Sequence, residues 1–140
     1  MIILDTNVLS ELMKTTPHAA VVAWTADRPA TELFTTSITE AEIFFGIELL
    51  SKGRRRDVLI AAAQKLFEIE LAGRVFPFES EAARECSKIA AHRRSIGRPI
   101  SQADAQIAAI AQVRRAQLAT RDADGFADCG VDVTSPWEAP

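Results

Sequence analysis

The chain opens on three consecutive apolar residues, Ile2-Ile3-Leu4, and an acid, Asp5, ends the run. An unbroken apolar run fits a strand buried on both faces. Thr6 and Asn7 suit a helix start, and Val8, Leu9, Leu12 and Met13 follow at helical spacing. Thr16-Pro17 reads as a second helix start, with Ala20, Val21 and Trp24 on one face and Pro29 as its breaker. Residues 33–38 are rich in β-formers and predict a strand. Thr39-Glu-Ala-Glu42 then opens a helix whose apolar side is Ile43, Phe44, Ile47 and Leu50, ended by Gly53. Arg54-Arg55-Arg56 reads as a basic loop. A helix over about 57–71 directs Val58, Leu59, Ala62, Leu66 and Ile69 to the core. Residues 75–78 predict a short strand. Ser80 caps a helix to about Ser95, with Gly97 after it, and Ser101 caps another that carries Ala103, Ile107, Ile110 and Ala111. Residues 118–120 and 131–133 read as the last strands, and Pro136-Trp137 closes the chain's pattern.

Strands alternating with helices predict an α/β fold, a central parallel sheet flanked by helices. In such sheets the strand C-termini and the following helix N-termini share one edge, and ligands bind there. The length, 140 residues, fits one domain over 1–140. Nearly half the residues are apolar and the net charge is only −3, which excludes a disordered chain and gives no global signal for nucleic acid. No apolar run reaches membrane-span length, and the N-terminus does not read as an export signal. Cys86 and Cys129 lack metal-ligand spacing, and His18 and His92 are isolated. Zinc chemistry and a histidine triad are therefore poorly supported, and the expected location is the reduced cytoplasm.

The sheet-edge geometry selects four of the nineteen acids. Asp5 ends the first strand. Glu42 and Asp104 fall in the first turns of the helices opened by Thr39 and Ser101, and Asp122 follows the strand ending at Thr120. Each has a structural reading as well. Thr39-x-x-Glu42 is a capping box and Ser101-x-x-Asp104 a near relative, acids suit helix N-termini, and Asp122 fits an ordinary turn. A converging set is different, because clustered carboxylates repel one another. Such a set suits a hard cation, Mg²⁺ or Mn²⁺, which binds phosphate oxygens and activates water. The chain contains no phosphate-cradling glycine loop.

Leu4-Asp-Thr-Asn-Val8, Glu42 early in a helix, Ala103-Asp104, Ala119-Thr-Arg-Asp122 and the closing Pro136-Trp137 together resemble the PIN-domain family. The resemblance covers essentially the whole chain, and within the family it is to VapC/FitB-type toxins of bacterial toxin–antitoxin pairs. It implies a Mg²⁺-dependent endoribonuclease, with Mn²⁺ as a substitute, neutralised by a DNA-binding antitoxin. It implies Asp5, Glu42, Asp104 and Asp122 as the catalytic acids, Asp5 and Asp104 as direct metal ligands, and Thr6, Asn7 and Thr120 as supporting polar residues. One departure stands out. Many relatives carry an acid before the phenylalanine of the last motif, where this chain has Gly125, and Asp124 is the nearest substitute. A homodimer is expected from apolar residues around the helix of Phe44, Phe45, Leu49 and Leu50. Three basic clusters, Lys52/Arg54–56, Arg93/Arg94/Arg98 and Arg114/Arg115, read as solvated helix ends or as contacts to an RNA backbone. The rival readings are a metal-dependent phosphatase or DNA nuclease using the same edge, and a non-catalytic PIN-like module that binds RNA or a protein.

Overall fold

Strand β1 (Ile2–Leu4) divides the core, because successive side chains on a strand point to opposite faces. Ile3 packs with Ile107, Ile110 and Leu118 on one side of the sheet. Ile2 and Leu4 pack with Val8, Leu9, Ile43 and Phe67 on the other. A computed structural model describes residues 1–138. Residues 139 and 140, the end of the expected domain span, lie outside the described residues.

After β1 come α1 (Thr6–Leu12), α2 (Ala19–Ala26), β2 (Leu33–Thr36), α3 (Ser37–Glu48) and α4 (Arg54–Lys65). β3 (Val75–Phe76), α5 (Ser80–Ser95), α6 (Gln102–Arg114), β4 (Gln117–Ala119) and β5 (Val133–Thr134) follow. The five strands form one parallel sheet in the order β3-β2-β1-β4-β5. Helices α5 and α6 supply one core layer, while α1 to α4 supply the other. The alternation of elements thus reads correctly as an α/β fold with a flanked parallel sheet. Helix α6 is buried over Ile107–Ala111 without a break. Its small alanines let it sit close both to the sheet and to α5.

Several boundaries differ from the sequence reading, each for a local reason. Helix α2 starts at Ala19, not at Thr16-Pro17. The buried Glu11 carboxylate accepts the His18 N–H at 3.1 Å, and the His18 ring accepts the Ala20 N–H. These bonds hold the chain extended past Pro17. Helix α3 starts at Ser37, because Thr36 is extended and its hydroxyl accepts the Thr39 N–H at 3.1 Å. The expected Thr39–Glu42 capping box is therefore not formed, and Glu42 lies in the second turn. Ser80 is the first residue of α5, not its cap; Glu79 holds that position with no side-chain bond. Arg54–56 is the first turn of α4, not a loop. Downstream, a π turn at Leu66–Glu70 rotates Ile69 outward. Ile69 and Val58 are exposed, and Ala63 and Phe67 take the core positions. Phe44 packs on Phe67, and Phe45 is 65% exposed.

Candidate functional site

The C-terminal ends of β2, β1 and β4 lie side by side, and polar residues gather there. Asp5 immediately follows β1, and its N–H donates to Ala119 O at 3.1 Å. It is the N-cap of α1, its Oδ1 accepting from Val8 N–H at 3.1 Å. Asp5 is only 5% exposed. Burial pushes its carboxyl from 3.8 up to about 6; the Thr120 hydroxyl and the Val8 amide counter the rise, and the Asp104 carboxylate adds to it. A carboxylate held so deep in a strand–helix junction is costly without a compensating partner.

Asp104 lies in the first turn of α6, where its N–H donates to the Ser101 hydroxyl at 3.2 Å. Its carboxyl is raised chiefly by burial, with Glu42 and Asp122 adding repulsion; the Ser101 hydroxyl and the Arg93 charge pull it down. Glu42 is exposed on α3 and reaches back to α1. The Thr6 hydroxyl donates to its Oε1 at 2.6 Å, and Thr6 Oγ1 also lies 3.2 Å from the buried Thr39 hydroxyl. Asp122 follows β4. Its N–H donates to the buried Thr120 hydroxyl at 3.1 Å, and its Oδ1 accepts from Gly125 N–H at 3.0 Å. Asn7 is exposed, and its backbone N–H rather than its side chain serves Asp5.

All four acids thus lie along the same sheet edge, and Asp104 is within electrostatic reach of the other three. They are not a closed cage. Among the described residues no group of three or more His, Cys, Asp or Glu side chains is close enough to surround a metal ion. The donor chemistry nevertheless fits Mg²⁺, which is commonly held by one or two carboxylates with water and phosphate filling the remaining positions.

The departure at residue 125 has a steric reason. A Cβ on Gly125 would stand 2.2 Å from Asp122 Oδ2, so an acid there would displace Asp122 from the turn it caps. Asp124 is exposed on the same turn. Sequence reasoning missed two groups at this edge. Thr35, Thr36 and Thr39 are fully buried, with the Thr35 hydroxyl donating to Leu4 O at 2.9 Å. Their only sequence signal was the run of threonines after an apolar strand. Arg93 was read as part of a solvated basic cluster but is 4% exposed.

The PIN domain family model matches residues 2–131. The chain belongs to the PIN-domain family. Its relatives within that family are of the VapC and FitB type. A VapC ribonuclease of Sinorhizobium fredii is 39% identical over 138 residues, covering 99% of each chain. The toxin FitB of Neisseria gonorrhoeae is 35% identical over 137 residues, 98% of this PIN domain chain and 99% of FitB. A chain in the structure of FitAB bound to a DNA fragment overlays with a TM-score of 0.93 at 34% identity, covering 100% of this chain and 98% of that one.

Proposed function

We propose that this chain, a single PIN domain over 1–140, is a Mg²⁺-dependent endoribonuclease acting as the toxin of a toxin–antitoxin pair. The observation that carries the reading is the convergence of Asp5, Glu42, Asp104 and Asp122 on one sheet edge, where Asp5 and Asp104 are raised chiefly by burial and further by their acidic neighbours. The relatives named as a VapC ribonuclease and as the toxin FitB support it.

In this reading Asp5 and Asp104 hold Mg²⁺, or Mn²⁺ in its place. A bound ion supplies charge that stabilises the scissile phosphate. Glu42 is oriented through Oε1 by Thr6, which leaves Oε2 to accept a proton from the attacking water. Asp122, fixed by the Gly125 amide, completes the acidic edge. The test is incubation of labelled RNA and labelled DNA with the protein in Mg²⁺ and in EDTA. EDTA-sensitive cleavage of RNA alone supports the proposal. DNA cleavage or release of phosphate from monoesters supports the runner-up chemistry, and RNA binding without cleavage supports a non-catalytic module.

Thr6→Val tests the assignment of Glu42. It removes a bond to an exposed carboxylate and one to the buried Thr39 hydroxyl, which keeps its contact with Thr36 Oγ1 at 3.4 Å, so stability falls by about 1 kcal/mol. The RNA cleavage rate falls about tenfold, less than the roughly 10²–10⁴-fold that a general base contributes, because Glu42 is loosened and not removed. Wild-type rates at saturating Mg²⁺ would remove Glu42 from the mechanism.

The partners follow from the surface between α1, α3 and α4. A cleft of about 820 Å³ there is lined by Ile43, Ile47, Leu50 and Val58, by Lys14, Arg54 and Arg55, and by Thr6 and Glu42 of the acidic edge. Arg54 and Arg55 stand in the first turn of α4 and pair with no acid among the described residues. Cations are disfavoured at a helix N-terminus, a cost that an anionic partner offsets. RNA phosphates meet these arginines in the active toxin. An antitoxin segment with apolar and acidic residues covers the same cleft and so excludes RNA. Val58→Glu, which puts charge into the apolar lining, weakens antitoxin binding at least tenfold by calorimetry; unchanged affinity argues for another surface. Phe45 and Leu49, 65% and 70% exposed on α3, are the candidate homodimer contact. Phe45→Glu shifts sedimentation toward monomer if they are. Cys86 and Cys129 are unpaired, which supports a reducing cytoplasm, and among the described residues no helix is long and apolar enough to cross a membrane.

A further inference from the structure

Arg93 occupies the wall behind the acidic edge. Its Nη1 donates to Gly125 O at 2.8 Å and to Ala127 O at 2.9 Å, and its Nε donates to Arg98 O at 2.7 Å. The same Nη1 lies 3.5 Å from Cys129 Sγ. No carboxylate pairs with it among the described residues. A buried guanidinium is expensive unless its donors are met, and here backbone carbonyls meet Nε and Nη1. Those carbonyls belong mainly to the turn after Asp122.

Gly125 connects the two ends of this arrangement. Its carbonyl accepts from Arg93, while its N–H donates to Asp122 Oδ1 at 3.0 Å. Displacing the Gly125 carbonyl therefore displaces the donor that aims the Asp122 carboxylate. The fit is tight on the other side as well, since a Cβ at Gly125 would stand 2.2 Å from Asp122 Oδ2.

We propose that Arg93 is a positioning residue of the acidic site: through Gly125 it sets the direction of the Asp122 carboxylate. The kinetic consequence rests on the ribonuclease reading above; the structural and metal-binding consequences do not. A merely structural role would make Arg93 a staple for the turn, felt in stability alone.

The test uses the full chain as Arg93→Lys, Arg93→Met, Gly125→Ala, Asp122→Asn and the Arg93→Lys/Asp122→Asn double variant. Arg93→Lys keeps the charge but loses the fork that reaches several carbonyls. It is expected to lower kcat for RNA about tenfold with KM within about twofold, and to add little on the Asp122→Asn background, because both changes break one relay. Metal-free protein titrated with Mn²⁺ by electron paramagnetic resonance should bind about tenfold more weakly in Arg93→Met and in Gly125→Ala, because a misdirected Asp122 no longer supports the ion beside its two proposed ligands; about tenfold is the lower end for an outer group of a metal site. In nitrogen-15 spectra, Arg93→Lys and Asp122→Asn should both move the Gly125 amide resonance. Should Arg93→Met not fold, Gly125→Ala attacks the same relay from a turn that is only partly buried.

Wild-type kcat and Mn²⁺ affinity in both Arg93→Lys and Gly125→Ala would overturn the proposal. So would an Arg93→Lys effect that adds in full to that of Asp122→Asn. A wild-type protein inert toward RNA, with the Mn²⁺ and Gly125 readouts as expected, would sink the ribonuclease reading and leave the relay standing.

Discussion

Asp5→Asn and Asp104→Asn each lose Mg²⁺-dependent RNA cleavage by on the order of 10³-fold, and Glu42→Gln is severe but incomplete. The two aspartates are the deepest of the four acids, Asp5 almost wholly buried and Asp104 partly so. Asparagine keeps the shape and removes the anionic oxygen that a hard cation selects. A metal ion at a phosphoryl centre supplies several kcal/mol of transition-state stabilisation, and about 4 kcal/mol is ~10³ in rate. The same assignment sets a pH dependence. Burial lifts the Asp5 carboxyl of the metal-free protein to about 6, so at limiting Mg²⁺, where the proton competes with the ion, cleavage declines as the pH falls through about 6, and saturating Mg²⁺ moves the decline to lower pH. Initial rates on labelled RNA between about pH 5 and about pH 8, for wild type and variants, check both expectations. Undiminished cleavage by Asp5→Asn would remove the central residue of the mechanism.

In EDTA near neutral pH, Asp5→Asn melts at or above wild type, and only wild type gains from Mn²⁺. Asp5 caps α1 through its bond to Val8 N–H, but asparagine ranks with aspartate as an N-cap. What the substitution removes is a buried charge. The folded carboxyl titrates at about 6 against a reference of 3.8, so the native state binds the extra proton between those values. The Asp5 contribution to wild-type stability is therefore fully present below the unfolded value, falls as pH rises through the window, and levels off above about 6. Roughly two units at about 1.4 kcal/mol each give at most about 3 kcal/mol that the variant recovers at neutral pH. Excess Mn²⁺ works in the opposite sense on wild type. At 100 times its dissociation constant, a native-state ligand stabilises by about 2.7 kcal/mol, and the variant lacks one of its two proposed ligands. Thermal melting of both proteins in EDTA and in excess Mn²⁺ separates the cases. A variant melting well below wild type in EDTA, with no Mn²⁺ shift in either protein, would make Asp5 a structural cap.

These two expectations draw on different layers of information. That Asp5 sits at a strand-to-helix junction was legible, because a three-residue apolar run followed by an acid and capping residues is a purely local pattern. The α/β class was legible for the same reason, as alternating periodicities need no knowledge of contacts. The edge holding Glu42, Asp104 and Asp122 followed from the rule that parallel strands end together. Element boundaries were less secure wherever two capping residues competed. Thr36 won over Thr39 through a local bond to the Thr39 N–H, where a run of threonines offers several equivalent caps, and His18 over Thr16 through the Glu11 carboxylate on the preceding helix.

The sequence by itself determined the fold class, the family and the four acids, since each rests on local periodicity or on motifs read in chain order. Only the tertiary structure decided how those acids are held. The Thr6–Glu42 bond joins residues 36 apart, and the Arg93–Gly125 bond residues 32 apart. The burial of Arg93 and the exposure of Phe45 were also out of reach of pattern. Arg93 looked like one of several cations at a helix end, and Phe45 like one of two adjacent phenylalanines. Helical periodicity gives the direction of a side chain about its own axis. What stands opposite is set by which other elements the sheet brings against it, and for Arg93 that is a turn of carbonyls more than thirty residues away.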